Sequence, residues 1–387
     1  MHDGIDTIIE VFDSMVLQNN VMASIAFRAV HTIFLYEPGQ EENMAGIYAF
    51  LEKLFPEMRL ESVRIPAAGA KDAIEKVFQG LQKQPHQVLV EINGGSPVIT
   101  NYARENSRRM GIACVVMDAR DGSIIPVEHA EGIRTSFPVP KLSFADILML
   151  QGRTFNRNMH MLAEERYFDR IIEISEYAFS HQADFKFFYD FVHHKSNGEL
   201  SEPSLKVTLT KTRDVSDRIL QIFRLFEQKE FIHSFKMSDY HISFQCVEPF
   251  VKEMLAVKGS WLEMYVYILA RRSGLFEEVH QSVMIGWDLE RRPKFNVENE
   301  IDVVLMKKGT PIFISCKMSN PKPDALNEIY ALANSFGGYG AVPALATCFD
   351  VYNRNKTLWN RAQEMGVALI EAEHLDRSGM QKFFERL

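Results

Sequence analysis

Residues 300–317 read EIDVVLMKKGTPIFISCK. Apolar residues alternate on either side of Lys308-Gly309, the pattern of two short strands joined by a tight turn. The two-residue period puts Glu300, Asp302 and Val304 on one face of the first strand, and Phe313, Ser315 and Lys317 on one face of the second. A two-residue turn sets Asp302 opposite Ser315, with Lys317 diagonal to it at roughly 7–8 Å. A carboxylate and a lysine then share a sheet face with Val, Ile, Leu and Phe. Burying both charges is costly unless they pair or hold a metal. An edge hairpin with both charges in water fits the same residues, so the neighbouring segments decide.

Upstream, Lys258-Gly259-Ser260 precedes a helix over Trp261–Arg272 (WLEMYVYILARR), apolar on nearly every side except at Glu263. A strand near Val279–Trp287 leads into the hairpin. Downstream, Pro321 and Pro323 introduce a helix from about Asp324, whose apolar stripe reads Ala325, Ile329, Leu332 and Phe336, with Glu328 among them. A glutamate on such a stripe calls for a cationic partner. The strand Ala344–Phe349, the helix Lys356–Met365 and the strand Val367–Ile370 complete a compact α/β unit. Glu263, Asp302 and Glu328 thus point at one lysine, Lys317. Cleaving a phosphodiester calls for Mg²⁺ or Mn²⁺ on hard oxygen ligands, and a lysine beside the metal offsets charge developing on phosphorus.

The N-terminal 140 residues alternate strand and helix: strands at Thr7–Phe12, Thr32–Tyr36, Leu60–Ile65, His86–Ile92, Ile112–Asp118 and Ser123–Val127, with helices at Val21–Val30, Asn43–Phe55, Lys71–Gln84 and from the 93–97 loop to Met110. This is the signature of a mostly parallel, doubly wound sheet. Ligands in such sheets sit beyond the carboxyl ends of the strands. Asn93-Gly94-Gly95-Ser96 occupies that position, with Pro97 opening the helix. It is neither GxGxxG nor a Walker loop, so an ordinary dinucleotide or ATP is not indicated. From the residues alone, a plain strand-to-helix turn with a serine cap is the simpler account of it. Asp13-Ser14-Met15, with Gln18-Asn19-Asn20, is a second polar wall. Between 141 and 255 the chain turns helical (Glu164–His181, Phe185–His194, Val215–Glu230), and a small hairpin at Phe231–Lys236 and Tyr240–Cys246 gives a winged-helix-like outline. The expected segments are 1–140, 141–255 and 256–387. The adjacent His193-His194 reads as surface, because neighbours on a helix point apart.

The 387 residues are 46% apolar and 24% charged, ample for two or three cores, and the net charge of −8 weighs against a uniformly basic surface without excluding a local basic groove. No apolar run approaches the roughly 20 residues of a membrane span. MHDGIDTIIEVFD is not a signal peptide. Cys114, Cys246, Cys316 and Cys348 are scattered without a CxxC pair, which argues for a reducing cytoplasm rather than a zinc site or disulfides.

The C-terminal segment resembles the restriction-endonuclease-like PD-(D/E)xK nucleases. Asp302 matches the first acid, and Ser315-Cys316-Lys317 stands where that pattern has Glu-x-Lys. The resemblance implies that Glu328, on the following helix, replaces the second acid, and that Glu263 matches the acid some members carry on the first core helix. Together with EINGGSPVIT and KGSWLEMYVYIL, the full chain resembles CRISPR-associated ancillary nucleases that join an N-terminal CARF domain, Rossmann-like in fold, to such a nuclease. That resemblance implies a homodimer in type III CRISPR antiviral defence. Its paired CARF domains would bind a cyclic oligoadenylate, most often cyclic tetra-adenylate, and thereby switch on cleavage of DNA or RNA with Mn²⁺ or Mg²⁺. Asp13, Ser14, Asn93, Gly94, Gly95, Ser96 and Thr100 would line the ligand pocket. Asp302, Glu328 and Glu263 would hold metal, with Lys317 and Ser315 beside them. From the residues themselves, Arg271-Arg272, Arg291-Arg292 with Lys294, and Lys307-Lys308 read either as a basic rim for phosphates or, equally, as ordinary solvated surface. Two other readings stand beside this one: a non-catalytic CARF sensor or DNA-binding regulator with a decayed site, and a constitutive repair-type nuclease.

Overall fold

The computed structural model describes residues 4–81, 83, 85–119, 121–157, 163–196, 200, 204–210, 215–286, 298–318, 320–338 and 340–387. They divide into two compact units, one built mainly from the chain up to Phe155 and the other mainly from Asn156 onward.

The first unit is a six-stranded sheet with helices on both faces. Its elements are β1 (Thr7–Val11), α1 (Asn19–Phe27), β2 (His31–Tyr36), α2 (Glu41–Leu54), β3 (Arg59–Arg64), α3 (Ala70–Gln79), β4 (Val88–Glu91), α4 (Pro97–Met110), β5 (Ala113–Asp118), β6 (Ser123–Glu128) and α5 (Phe144–Leu150). The strand order is β3-β2-β1-β4-β5-β6, parallel except for β6. Central strands buried on both faces are apolar runs, as β1 and β4 are. Ile8, Phe34, Leu89 and Val115 pack with Val21, Ile47 and Phe50 of α1 and α2. Ile9, Ile33, Val90 and Cys114 pack with Ile74, Phe78, Ile99 and Ala103 of α3 and α4. Strand order reverses between β1 and β4, so the loops after these two strands open onto the crevice of the sheet. Helix α3 stops at Gln79, short of the expected Gln84, because Gly80 caps it, and a 3₁₀ turn at Pro85–Gln87 delays β4 to Val88.

The chain leaves through β7 (Thr154–Arg157) and continues with α6 (Phe168–Ser180), α7 (Gln182–Lys195), β8 (Lys206–Thr210), α8 (Asp217–Gln228), β9 (Ile232–Met237), β10 (His241–Cys246) and α9 (Pro249–Ala256). Then come α10 (Ser260–Ser273), β11 (Glu278–Gly286), β12 (Glu298–Lys307), β13 (Thr310–Lys317), α11 (Pro323–Phe336), β14 (Val342–Thr347), α12 (Val351–Arg354), α13 (Lys356–Met365), β15 (Ala368–Ile370) and α14 (Arg377–Arg386). The wing has a third strand, β8, that the sequence reading lacks, giving an antiparallel sheet in the order β8-β10-β9. The larger sheet runs β15-β14-β13-β12-β11-β7, with β13, β14 and β15 parallel and β12 antiparallel to β13.

One apolar cluster runs from Tyr167 and Phe188 through Phe226 and Trp261 to Ile314 and Phe384, across the expected boundary at 255/256. Helix α10 is the reason: it is buried nearly all round, with Trp261 against Phe185 and Phe226 and Tyr265 against Phe179. Its other residues cover β12 and β13, so the helical segment and the α/β segment share a core.

Candidate active site

The hairpin register is Val303↔Ile314 through Lys307↔Thr310, which sets Asp302 opposite Ser315. Lys308 and Gly309 both have positive φ, 52° and 75°, the type I′ geometry whose twist matches the strands. Asp302 Oδ2 accepts the backbone N–H of Cys316 at 2.6 Å and the Ser315 hydroxyl at 3.4 Å, and it lies 4.0 Å from Lys317 Nζ. The Asp302 side chain is 17% exposed and that of Lys317 40%. The carboxylate is therefore fixed inside while the ammonium reaches out.

Glu263 stands in the first turn of α10 and is 8% exposed. Its carboxylate fits because residue 259 is glycine: a Cβ there would come within 3.0 Å of Glu263 Oε1. Among the described residues no hydrogen-bond donor reaches this carboxylate. Burial, then the charges of Asp302 and Glu300, push its pKa up to about 8, against the pull of Lys317. Asp302 is raised too, chiefly by burial, while Lys317 and the Cys316 N–H pull it down. Glu300 is exposed and accepts the Ser282 hydroxyl at 2.7 Å. It is a third carboxylate here that the sequence reading passed over, although the alternation placing it on the face of Asp302 marks it. Mutually repelling, half-satisfied carboxylates suit a hard divalent cation. Among the described residues, however, no three His, Cys, Asp or Glu side chains form a ready ligand cluster.

Glu328 does not join them as expected. The buried residues of α11 are Leu326, Ile329, Ala333 and Phe336, whereas Ala325 and Leu332 are only partly buried and Glu328 is exposed. The stripe is rotated from the expected one because Leu326, rather than Ala325, carries the apolar bulk. The expected basic rim is largely engaged in structure. Arg271 pairs with Glu165 and Tyr267, Arg272 with Asp169, and Lys307 Nζ donates to the carbonyls of Phe384 and Glu385. Arg291, Arg292 and Lys294 lie outside the described residues. His193 and His194 are exposed, and the four cysteines are buried free thiols.

In the first unit, Asp13 is 8% exposed and fully engaged: Oδ1 accepts the N–H of Met15 and Val16, and Oδ2 accepts Asn19 Nδ2. It shapes the loop after β1 rather than offering a free carboxylate. Ser14 and Met15 are exposed beside it. Gly94 lies against Asp13, where a Cβ would come within 2.4 Å of its Cα. The Asn93 amide pairs with the backbone of Met117 in both directions, and Thr100 Oγ1 donates to Gly94 O at 3.0 Å. Gly95, with φ 76°, is exposed, and the Ser96 side chain makes no cap to α4. Among the described residues the helix N-terminus thus keeps its N–H groups and the Ser96 hydroxyl unbonded beside two glycines, a ready cradle for an anion.

Residues 252–383 match the family model described as Card1-like, endonuclease domain. The C-terminal segment is Card1-like in sequence. The fold of the whole chain matches protein VC1899 from Vibrio cholerae with a TM-score of 0.75 at 16% identity, over 98% of both chains. It also matches Can2 from Sulfobacillus thermosulfidooxidans, solved in complex with cyclic tetra-adenylate, with a TM-score of 0.67 at 14% identity, over 98% of this chain and 97% of Can2. No curated protein matches in sequence. Among the described residues no helix is long and apolar enough to cross a membrane.

Proposed function

We propose that this chain is a nuclease of type III CRISPR defence, switched on by cyclic oligoadenylate and cutting phosphodiester bonds in DNA or RNA. The observation that carries the chemistry is Asp302, locked by the Cys316 N–H, with Lys317 Nζ 4.0 Å away and Glu263 buried and unsatisfied beside it. The Card1-like match over the same residues and the Can2-like fold support the reading. Asp302 and Glu263, with Glu300 near, would hold Mn²⁺ or Mg²⁺, which when bound supplies Lewis acidity toward a phosphoryl oxygen. Lys317 would offset charge developing on phosphorus. Ser315, where related patterns carry an acid, donates to Asp302 and holds its orientation. Glu328, being exposed, would contribute little.

In the first unit the free N–H groups of α4, Gly94, Gly95 and Ser96 would receive phosphates, Thr100 and Asn93 would hold the loop, and Asp13 would present Ser14 and its neighbours. Cyclic tetra-adenylate, the ligand in the Can2 complex, is the activator we favour. A two-fold ring suits a homodimer in which both copies of this loop line one pocket. The test is cleavage of single-stranded DNA, single-stranded RNA and supercoiled plasmid in Mn²⁺, with and without cyclic tetra-adenylate. Activator-dependent cutting is expected. Binding of the activator without cutting of any substrate would overturn the reading.

A further inference from the structure

The parallel strands β13, β14 and β15 end at one edge of the sheet, with Lys317 level with Thr347 and Ala346 level with Ile370. Glu371, the next residue, therefore stands level with Lys317 two strands away, about 10 Å across the sheet. At that point a cleft of ≈ 430 Å³ opens, its aromatic side formed by Tyr352, Trp359 and Phe383 and its charged side by Arg386 with the carboxylates Glu371 and Glu373.

The aromatic rings are set in place. Tyr352 and Trp359 meet at 78° with centroids 5.3 Å apart, and Lys356 Nζ sits 3.6 Å from the first ring centre and 4.0 Å from the second. Buried Glu371 fixes the start of α12 by accepting the Tyr352 N–H at 2.7 Å. The Glu371 N–H donates to His374 Nδ1 at 3.1 Å, which leaves that imidazole neutral and edge-on to Phe383. The corner is tied to the segment that follows Lys317 by Asn355 Nδ2 to Asn320 Oδ1 at 3.4 Å, and to α11 by Arg361 to Asn327 at 2.9 Å. Tyr352, with Lys356 over its ring and Trp359 against its edge, remains 49% exposed, so part of the ring is open to a further stacking partner.

Aromatic faces interleaved with cations are what an unpaired base and its phosphate require, and stacking tolerates any base because every base has a π-face. Bases within a duplex are already stacked and do not present that face. We propose that this cleft binds an unpaired nucleobase of a single-stranded stretch of substrate, a short reach from the phosphate held beside Lys317, with Lys356 meeting the backbone. The proposal rests on the nuclease reading of that site. It makes Tyr352 and Trp359 determinants of strand preference, separate from the cleavage chemistry.

The test uses the full chain carrying Lys317→Ala, in Mn²⁺ with saturating cyclic tetra-adenylate, so that strands are held without turnover. Binding of short fluorescein-labelled oligo-dT and oligo-U, and of a duplex of equal length, is read by anisotropy. Trp359→Ala and Tyr352→Ala should each weaken single-strand binding by roughly five- to hundredfold while leaving the duplex unchanged, and Trp359→Phe should restore most of the loss. Half-buried Trp359 supports some packing, so exposed Tyr352 gives the independent arm. Equal loss on strand and duplex, or no loss with either alanine variant, overturns the cleft assignment. Failure of the parental Lys317→Ala protein to hold any nucleic acid overturns the nuclease reading and the cleft together, and it shows before either ring is altered.

Discussion

Each unit contains a pair of acidic side chains forced together, and the two pairs differ in an instructive way. In the first, Glu10 of β1 and Glu91 of β4 are register partners, both completely buried. Among the described residues, both oxygens of Glu10 and one of Glu91 lack a hydrogen-bond partner, apart from what the two carboxyls share. Burial, then the charge of Glu91, raises Glu10 well above the usual range; burial, with a smaller push from Asp13, lifts Glu91 to about 7 against the hydrogen bonds it shares with Glu10 and the backbone. In the second, Asp302 and Glu263 are also raised, but Lys317 stands beside them and opens to solvent. The first pair solves its problem with a proton. The second has a cation at hand. Raised acidic groups alone therefore do not mark a catalytic site; a neighbouring cation and access do.

Substitution at the two pairs should separate them most sharply. If the proposed roles hold, Lys317→Ala and Asp302→Asn should each lower activator-dependent cleavage by roughly a thousandfold, because one would remove the charge facing phosphorus and the other a metal-holding oxygen. Glu10→Gln, which copies the protonated acid in shape and charge, should leave the cleavage rate within about threefold at saturating activator. Rates under single-turnover conditions measure both. Comparable losses in the two units would erase the distinction drawn here.

The next contrast is in pH. On the proposed reading a divalent ion would take Glu263 as its carboxylate, so binding would displace the proton held up to about pH 8. Mn²⁺ affinity should climb about tenfold per pH unit below that value and level off above it. Titration calorimetry of Mn²⁺ across this range checks it, and Glu263→Gln should flatten the rise. An affinity independent of pH in the parent would remove Glu263 from the ligand set.

Much of this was legible in the residues. The alternation in EIDVVLMKKGTPIFISCK fixed a hairpin whose turn, register and Asp302–Ser315 pairing the structure reproduces. Buried periodicity around Trp261 located Glu263. Helix α5 was missed although Ser143 and Asp146 form a capping box just ahead of an apolar run, a readable signal. Strand β8 was harder, since KVTLT is short and pairs with β10 far along the chain. The Glu10–Glu91 pair was not legible at all. Each residue reads as one polar letter in an apolar strand, and only the parallel register, a long-range property, brings them face to face. Glu328 shows the converse: a stripe of alanine and leucine admits two helix rotations, and burial of Leu326 selects the other one.

Stability gives a smaller contrast. For Glu91 the folded pKa of about 7 lies above the ordinary value near 4.5, so the folded state holds more protons through that window. Its contribution is whole below about 4.5 and is lost as pH rises to about 7, a fall of about 3 kcal/mol for the first unit. Urea unfolding at stepped pH should show the decline, and Glu91→Gln should remove most of it. A first unit that gains stability over that interval would mean the pair is held ionised by something other than a shared proton.

The smallest expected effect concerns the acid that looked essential from its position in the sequence. Glu328 is exposed, and among the described residues it makes no hydrogen bond or ion pair, so its charge is screened by water. Glu263, by contrast, is buried against Gly259 with Asp302 and Lys317 in its field. An oxygen held in place before metal arrives does more than one that must be drawn in from solvent, because ordering a long side chain costs about 1.5–2 kcal/mol. Glu328→Ala should therefore lower cleavage by no more than about threefold, where Glu263→Gln lowers it by roughly a hundredfold. The two variants compared at saturating Mn²⁺ decide which glutamate completes the site. A hundredfold loss in Glu328→Ala would show that α11 swings its acid inward when metal binds, and the order of the two glutamates would be reversed.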